Sequence, residues 1–388
     1  MVDLGLASTD MMYFASGRLD APGAMFTASH NPAAYNGIKM CLSGARPVGQ
    51  DTGLADVQLD AEEALRADLD QGPETGGYER HELLDEYAHH VRSFIDTAAL
   101  RPLKVVADTA NGMGGLVVPK AFEGLPVRLE ILFEELDGTF PNHPADPIQD
   151  ENLRDLKDAV LRSGADIGLA FDGDADRVFL VDEHAEPVSG SLTTALVARA
   201  MLEKHPGSTV LYNLICSKVV PETIEQYGGT PVRTRVGHSF IKQVMAETGA
   251  IFGGEHSGHY YFRDNYRADS GIIAAMVVLE LLSVTGKPLS ELLQPFRRYA
   301  ASGEINTVVD DPARAVELLA AEVEAAGGAL GTADRIDGLT VDRGDWWYNL
   351  RPSNTEPLLR LNVEAPDEAA CATHVTEVQA EIDRLLGA

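Results

Sequence analysis

Short apolar runs alternate with amphipathic stretches along most of the chain, a pattern typical of α/β proteins. Apolar runs bounded by turn residues predict strands, and a repeat near 3.6 residues predicts helices. The predicted strands are 2–7, 24–28, 103–107, 127–133, 167–171, 178–181, 209–214, 231–236, 305–309, 339–341 and 358–363. The predicted helices are 61–69, 84–95, 151–162, 192–202, 219–227, 273–284, 313–326 and 368–386.

The length of 388 residues is too great for one ordinary core, so several domains are expected. The order of elements predicts three α/β domains with mixed sheets, followed by a smaller C-terminal α+β domain. We expect the boundaries to fall at 1–85, 86–188, 189–301 and 302–388.

The net charge of -29 comes from 31 basic and 60 acidic residues. Such an acidic chain is not expected to bind nucleic acid or an anionic membrane.

The cysteines are Cys41, Cys216 and Cys371, and their odd number and wide spacing predict reduced thiols. The start has no basic segment typical of a signal peptide, and the apolar run 271–284 is too short to span a bilayer. A cytoplasmic protein is therefore expected.

Ser29 lies in the run Thr27-Ala28-Ser29-His30-Asn31-Pro32, just after a predicted strand. A serine beside a base and a cation can carry a phosphoryl group, although an isolated Ser-His pair is more often part of a simple turn. His30 is expected to shape this loop. Lys39 follows in the run Asn36-Gly37-Ile38-Lys39 and could stabilise the charge of a group in transfer.

Three carboxylates alternate in the segment Asp172-Gly173-Asp174-Ala175-Asp176, which follows a predicted strand. Carboxylates without nearby His or Cys ligands favour a hard cation. Mg²⁺ is expected if the site acts on phosphate groups. Arg177 comes next and could pair with the same phosphate. An acidic turn without a metal is the alternative.

Glu255, Ser257 and His259 occupy a loop between two apolar segments. Glu accepts and Ser both accepts and donates hydrogen bonds, which suits vicinal sugar hydroxyls, while His259 could act as a general base or acid. His238, in the run Gly237-His238-Ser239, is a further candidate at such a site or simply the first residue of a helix. A polar hairpin loop is the alternative for the whole segment.

Hydrogen-bond donors are also concentrated near the C-terminus, between two prolines. A dianionic phosphate held away from the chemistry would suit such a run, and a Pro-flanked turn is the alternative. The donors are Arg351, Ser353, Asn354 and Thr355.

These four loops, in this order, resemble those of the α-D-phosphohexomutases, the phosphomannomutase and phosphoglucomutase family. The resemblance covers nearly the whole chain and implies four domains around a central cleft. It implies that Ser29 carries phosphate, with Lys39 and Arg177 at the active site and a metal on Asp172, Asp174, Asp176 and Ser29. It also implies that Glu255 and Ser257 hold sugar hydroxyls and that the run at 351–355 binds the non-reacting phosphate.

The activity implied is transfer of a phosphoryl group between the 1- and 6-positions of a hexose phosphate. Hexose 1,6-bisphosphate would be the intermediate and activator, and the protein would be a monomer or a dimer. The loop from 254 to 262 looks most like that of bacterial phosphomannomutases, so mannose phosphate is expected as the preferred substrate, with glucose phosphate second.

Ser29 lies nearer the N-terminus than the corresponding serine of most family members, which predicts a first domain that lacks a strand. We expect an exposed sheet edge and an uncovered apolar face there. Two rival functions follow: a phosphosugar-binding chain without turnover, and a metal-dependent phosphatase.

Overall fold

The computed structural model describes residues 1–49, 52–67, 76–353 and 357–386. Within these ranges the strands form five sheets, three of them with four or five strands. The sheets follow one another along the chain, so the protein divides into four consecutive units.

The first unit contains an antiparallel sheet of order β2-β3-β4 and a short parallel pair of β1 with β5. Phe26, at the end of β2, is 80% exposed, so part of this small sheet has no apolar cover. Its elements are β1 (Val2–Asp3), α1 (Thr9–Leu19), β2 (Gly23–Phe26), β3 (Ile38–Leu42), β4 (Arg46–Pro47), α2 (Leu54–Arg66) and β5 (Glu79–Arg80).

The second unit is a mixed five-stranded sheet of order β10-β9-β8-β6-β7, in which β6, β7 and β8 are parallel. The buried strand β8 delivers the acidic loop to the carboxyl edge of this sheet, where ligands of α/β proteins commonly bind. The elements are α3 (Leu84–Arg92), β6 (Leu103–Asp108), α4 (Gly114–Phe122), β7 (Val127–Leu132), α5 (Arg154–Ser163), β8 (Ile167–Phe171), β9 (Val178–Val181) and β10 (Pro187–Val188).

The third unit is a mixed four-stranded sheet of order β12-β11-β13-β14, with an antiparallel hairpin at one edge. The loop from 255 to 259 connects the two strands of that hairpin. The elements are α6 (Gly190–Lys204), β11 (Thr209–Asn213), α7 (Val219–Gln226), β12 (Thr230–Thr234), α8 (His238–Thr248), β13 (Phe252–Gly254), β14 (Tyr260–Phe262), α9 (Gly271–Thr285) and α10 (Leu289–Leu293).

The fourth unit is an antiparallel five-stranded sheet of order β15-β19-β18-β17-β16 with two helices. It has a hydrophobic core of its own, which includes Leu319, Val341, Tyr348 and Leu361. The elements are β15 (Ala300–Val308), α11 (Pro312–Ala325), β16 (Thr332–Asp334), β17 (Leu339–Asp342), β18 (Trp347–Pro352), β19 (Leu358–Ala365) and α12 (Glu368–Leu386). With mixed sheets in the second and third units and this small α+β unit, the predicted fold class is confirmed.

One large core joins the first three units, and α9 lies at its centre, with its first twelve residues buried.

In the part of the chain that the structure describes, no single helix is long and apolar enough to cross a membrane. One bent pair, Gly271–Thr285 with Leu289–Phe296, meets the requirements of length and composition only when the two are taken together across a 99° bend.

Some predicted elements differ from those observed. The strand predicted over 2–7 is only two residues long, because Ser8 accepts a hydrogen bond from the Met11 N–H and caps α1. The helix predicted over 61–69 begins seven residues earlier, at Leu54. The helix α4, from Gly114 to Phe122, is not among the predicted helices.

Candidate active site

Ser29 lies three residues after β2, half-buried, with a backbone φ of 54°. Its Oγ donates a hydrogen bond to Asp172 Oδ2 at 3.0 Å and accepts one from Arg177 Nη2 at 3.2 Å. Few non-glycine residues occupy this left-handed region, and where they do the position is often functional. The contacts place the serine hydroxyl directly between a carboxylate and a guanidinium.

A close backbone approach brings the serine loop onto the acidic loop. A Cβ atom on Gly173 would lie only 2.4 Å from the Ser29 carbonyl oxygen, so glycine is required at this position. Thr9 Oγ1 and Thr27 Oγ1 add hydrogen bonds to Asp174 Oδ2 at 2.7 and 2.9 Å. Residues from two segments of the first unit therefore fix the acidic loop of the second.

Asp172, Asp174 and Asp176 are each at most 1% exposed, and their oxygens lie within 4.8 Å of one another. Lys39 Nζ lies 2.8 Å from Asp174 Oδ2 and 2.5 Å from Asp176 Oδ2. The Arg177 Nε–H donates to Asp172 Oδ2 at 2.8 Å. Two cations thus face three buried acidic groups.

The acidic loop has the donor set that a divalent cation needs. Asp174 Oδ1 and Asp176 Oδ1 are buried and have no hydrogen-bond partner among the described residues. Burial raises the pKa of Asp172 to about 8, Arg177 opposes this, and the neighbouring Asp176 and Asp174 carboxylates add to it. Unpartnered carboxylate oxygens and like-charge repulsion at one point are what a bound oxygen-seeking cation would relieve.

The loop between β13 and β14 lies against the acidic loop, because Arg177 and His259 form a backbone bridge. Ser257 Oγ lies 3.0 Å from both Glu255 Oε2 and His259 Nδ1. The other ring nitrogen of His259, Nε2, lies 3.9 Å from Asp176 Oδ1. A glutamate, a serine and a histidine are therefore held together next to the carboxylates.

Burial governs the charge states of this loop. It raises the pKa of Glu255 to about 7, partly opposed by the hydrogen bond from Ser257. It lowers the pKa of His259 to about 4, with Asp176 opposing and Arg177 adding to the shift. His259 is thus a neutral imidazole near pH 7, able to accept a proton.

The two other predicted histidines also lie near the site. His30 Nδ1 is 3.4 Å from Ser29 Oγ, and burial followed by Arg177 lowers its pKa. His238 begins α8, where burial and then Lys242 lower its pKa to about 4. Both are neutral neighbours of the charged groups rather than additional cations.

Arg351 and Ser353 lie in the fourth unit, at and just after the end of β18. Arg351 Nη2 donates to Glu304 Oε2 at 2.7 Å, and Arg360 Nη2 donates to Ser353 Oγ at 3.4 Å. The predicted donors Asn354 and Thr355 lie outside the described residues. Burial lowers the pKa of His256 in the loop of the third unit, and the Glu304 carboxylate partly offsets this.

Sequence reasoning missed several residues of the site. Thr9 and Thr27 bind Asp174, and Asp269 lies within 4.8 Å of Asp176 and His259. Only Thr27, two residues before the serine, had a sequence signal. Thr9 and Asp269 are brought in by helix packing, which no local pattern reveals.

Comparison with known proteins agrees with the order of these units. Four consecutive stretches match the Phosphoglucomutase/phosphomannomutase family: alpha/beta/alpha domain I over residues 1–59, domain II over 85–186, domain III over 189–299 and the C-terminal domain over 304–384. The chain belongs to the phosphoglucomutase/phosphomannomutase family, and the resemblance drawn from its four loops is confirmed.

Named relatives place it among the phosphohexose mutases. The chain is 41% identical to a phosphomannomutase of Salmonella montevideo over 94% of its own length and 81% of that protein. It is 40% identical to a protein of Xanthomonas campestris named "Phosphohexose mutases", over 100% and 85% of the two lengths. The crystal structure of a phosphoglucomutase/phosphomannomutase family protein from Burkholderia thailandensis superposes with a TM-score of 0.86, at 31% identity, covering 99% of this chain and 82% of that one.

Proposed function

We propose that this phosphohexose mutase interconverts the 1- and 6-phosphates of a hexose, with mannose phosphate preferred and glucose phosphate second. The observation that carries the proposal is the position of the Ser29 hydroxyl, 3.0 Å from Asp172 and 3.2 Å from Arg177. A hydroxyl held between a buried acidic loop and a guanidinium suits a phosphoryl carrier.

Ser29 would carry the phosphoryl group, and Arg177 and Lys39 would stabilise charge as it moves. Arg177 is 3% exposed, so its charge acts in a medium of low dielectric constant. Burial opposes the charge on Lys39, but Asp176 and Asp174 outweigh it and raise the Lys39 pKa well above its usual value. Both cations therefore stay charged throughout the cycle. His30 would shape the serine loop through its contact with Ser29.

Asp172, Asp174, Asp176 and Ser29 would hold a Mg²⁺ ion. The unpartnered Oδ1 atoms of Asp174 and Asp176 support this assignment. The ion would supply neutralisation of the phosphoryl oxygens during transfer.

The sugar would lie on the loop of the third unit. Glu255 and Ser257 would hold two vicinal hydroxyls, and the neutral His259 would accept the proton of the attacking hydroxyl. His238, at the start of α8, would be a further contact to the sugar.

The fourth unit would hold the phosphate that is not reacting, through Arg351, Ser353, Asn354 and Thr355. A guanidinium that points at a phosphate gives two parallel hydrogen bonds and fixes its orientation. Closure of this unit over the sugar would keep water away from phosphorylated Ser29.

The phosphoryl transfer proceeds in two steps. The 6-hydroxyl of a hexose 1-phosphate attacks the phosphorus of phosphorylated Ser29, its proton passes to His259, and the bond from Ser29 Oγ to phosphorus breaks. Hexose 1,6-bisphosphate is the resulting intermediate. After it reorients, Ser29 Oγ attacks the phosphorus at the 1-position and the bond from that phosphorus to the sugar 1-oxygen breaks. The 1-oxygen takes the proton from His259, and the proton of the Ser29 hydroxyl passes to His259 and then to water. The products are phosphorylated Ser29 and the hexose 6-phosphate.

The choice of sugar depends on the loop from 254 to 262. Glu255 and Ser257 would contact hydroxyls that mannose and glucose share, so both sugars are expected to react. The relatives named phosphomannomutase, at about 40% identity, favour mannose as the better substrate.

The three cysteines are unpaired and buried, in keeping with our proposal of a cytoplasmic enzyme.

The test is a coupled assay with Mg²⁺ and a trace of hexose 1,6-bisphosphate, run on mannose 1-phosphate and on glucose 1-phosphate. We expect conversion of both to the 6-phosphate, with the larger kcat/KM for mannose. Release of free phosphate without isomerised sugar would favour a phosphatase. A folded protein that binds the sugar phosphates but converts neither would favour a binding role.

A further inference from the structure

A carboxylate lies between the two arginines of the fourth unit. Glu304 Oε2 accepts from Arg351 Nη2 at 2.7 Å, and its Oε1 lies 3.5 Å from Arg360 Nη1. The Glu304 side chain is 31% exposed and that of Arg351 is 12% exposed, so the group is partly open to solvent.

Strand register explains why the carboxylate is there. Arg351 of β18 and Arg360 of β19 are directly opposite each other, and Glu304 extends from β15 on the far side of β19. Like charges directly opposite on neighbouring strands repel each other. Glu304 offsets that repulsion by giving one oxygen to each guanidinium.

The arginines still have donors that Glu304 does not use. The Nε atoms of Arg351 and Arg360 are both buried and lack a hydrogen-bond partner among the described residues. Buried donors without partners are unfavourable, and a phosphate with three oxygens would satisfy more of them than one carboxylate can. Phosphate and Glu304 would therefore compete for the same two guanidinium groups.

We propose that Glu304 is a resident counter-anion of this phosphate site, which the substrate phosphate must displace from Arg351 and Arg360. The inference depends on the proposed function, in which Arg351 binds the non-reacting phosphate. In the free enzyme Glu304 keeps the two arginines in place. In the complex it opposes the phosphate, which weakens binding and helps the phosphate leave when the intermediate must reorient.

The first test compares binding of mannose 6-phosphate by titration calorimetry to Glu304→Gln and to its parent. Both carry Ser29→Ala so that no turnover interferes. Glutamine keeps the size of the side chain and removes the charge. The matched control is Glu322→Gln, which removes one charge from a pair with Arg384 elsewhere in the same unit, at similar exposure.

We expect Glu304→Gln to lower the Kd by about three- to tenfold and Glu322→Gln to leave it unchanged. An equal or higher Kd for Glu304→Gln, with normal binding by the parent, would overturn the inference and leave the proposed function intact. No binding by the parent and the control would overturn the phosphate site itself, and the inference with it.

Steady-state kinetics give a second, independent readout. They are measured on the enzyme that retains Ser29, with and without Glu304→Gln. Glu304→Gln should lower KM without raising kcat, because tighter binding of the ground state does not speed the chemical step. A higher KM would mean that Glu304 serves only to orient the arginines, and would contradict displacement.

Discussion

At the scale of single residues, the site depends on charges that burial makes strong. Three carboxylates at most 1% exposed meet Lys39 and Arg177 at distances between 2.5 and 2.8 Å. In a medium of low dielectric constant each of these contacts is worth far more than at the surface, and each unpaired charge is correspondingly unfavourable. Ser29 is the hydroxyl that this charged cluster is arranged around.

Ser29→Ala should lower kcat by at least about 10⁴-fold, because the phosphoryl carrier is lost. Ser29 is half-buried, and losing one hydroxyl there should leave the melting temperature nearly unchanged. The mutase assay and a thermal melt measure both effects. Ser163→Ala, which removes a hydroxyl bonded to the Ala159 carbonyl, is the control and should keep full activity. Comparable turnover by Ser29→Ala would remove this residue from its proposed role.

Glu255 gives the protein a distinct dependence of stability on pH. Its pKa is about 7 in the folded chain against an ordinary value of 4.5. The folded state therefore binds a proton more tightly than the unfolded state, so the associated stability is present below pH 4.5 and is lost as the pH rises through 7. The effect is on the order of 3 kcal/mol.

Glu255→Gln should remove this contribution, since glutamine does not titrate. Urea unfolding at several pH values between 4.5 and 8 would measure it. We expect the variant to gain stability relative to the wild type as the pH rises across this range. A difference between the two proteins that does not change with pH would contradict the buried, proton-binding state of Glu255.

At the scale of elements, the site is assembled by loops that follow strands of different sheets. The serine loop follows β2, the acidic loop follows β8, and the loop of Glu255 joins β13 to β14. Their contact depends on small residues at the crossing points, above all Gly173. The strands supply rigid supports, and the loops supply the functional groups.

Gly173→Ala should separate the serine and acidic loops, because its Cβ atom would lie 2.4 Å from the Ser29 carbonyl oxygen. A displacement of about 1 Å between reacting groups commonly lowers kcat by about 10²-fold. Gly76→Ala is the matched control, since a Cβ atom there meets nothing within 4 Å. Equal kcat values for the two variants would show that the crossing is not needed for catalysis.

At the scale of the whole molecule, the fourth unit meets the third through polar contacts. Arg233 binds Asp334 at 2.7 Å and Thr340 at 2.9 Å, and Lys218 binds Asp342 at 2.9 Å. The fourth unit also has its own hydrophobic core. A polar interface between units with separate cores allows relative motion more readily than an apolar one.

Arg233→Ala should loosen the fourth unit and raise KM by about two- to tenfold, because partly exposed polar pairs are individually weak. The large core of the first three units does not include Arg233, so the main melting transition should change little. Arg384→Ala, which breaks a pair within the fourth unit, is the control and should keep the wild-type KM. If KM rises equally in both variants, the cause is the lost positive charge and not the interface between the units.

Much of the fold and the site could be predicted locally. Strands 167–171 and 178–181 and the helix at 368–386 begin and end where the apolar pattern places them. The sequence pattern failed over residues 2–7, where the capping hydrogen bond that Ser8 accepts from the Met11 N–H outweighs the apolar run. It also did not predict α4, because Gly114 and Gly115 obscure the start of that helix.

The sequence by itself determined which chemical groups are available: the serine, the alternating carboxylates, the sugar loop and the arginine-containing run each lie in a short continuous segment. Only the tertiary structure decided which groups meet. Ser29 and Asp172 are 143 residues apart, and Glu304 and Arg351 are 47 apart. Their contacts depend on sheet register and on loops from separate units that cross, and local propensity contains no information about either.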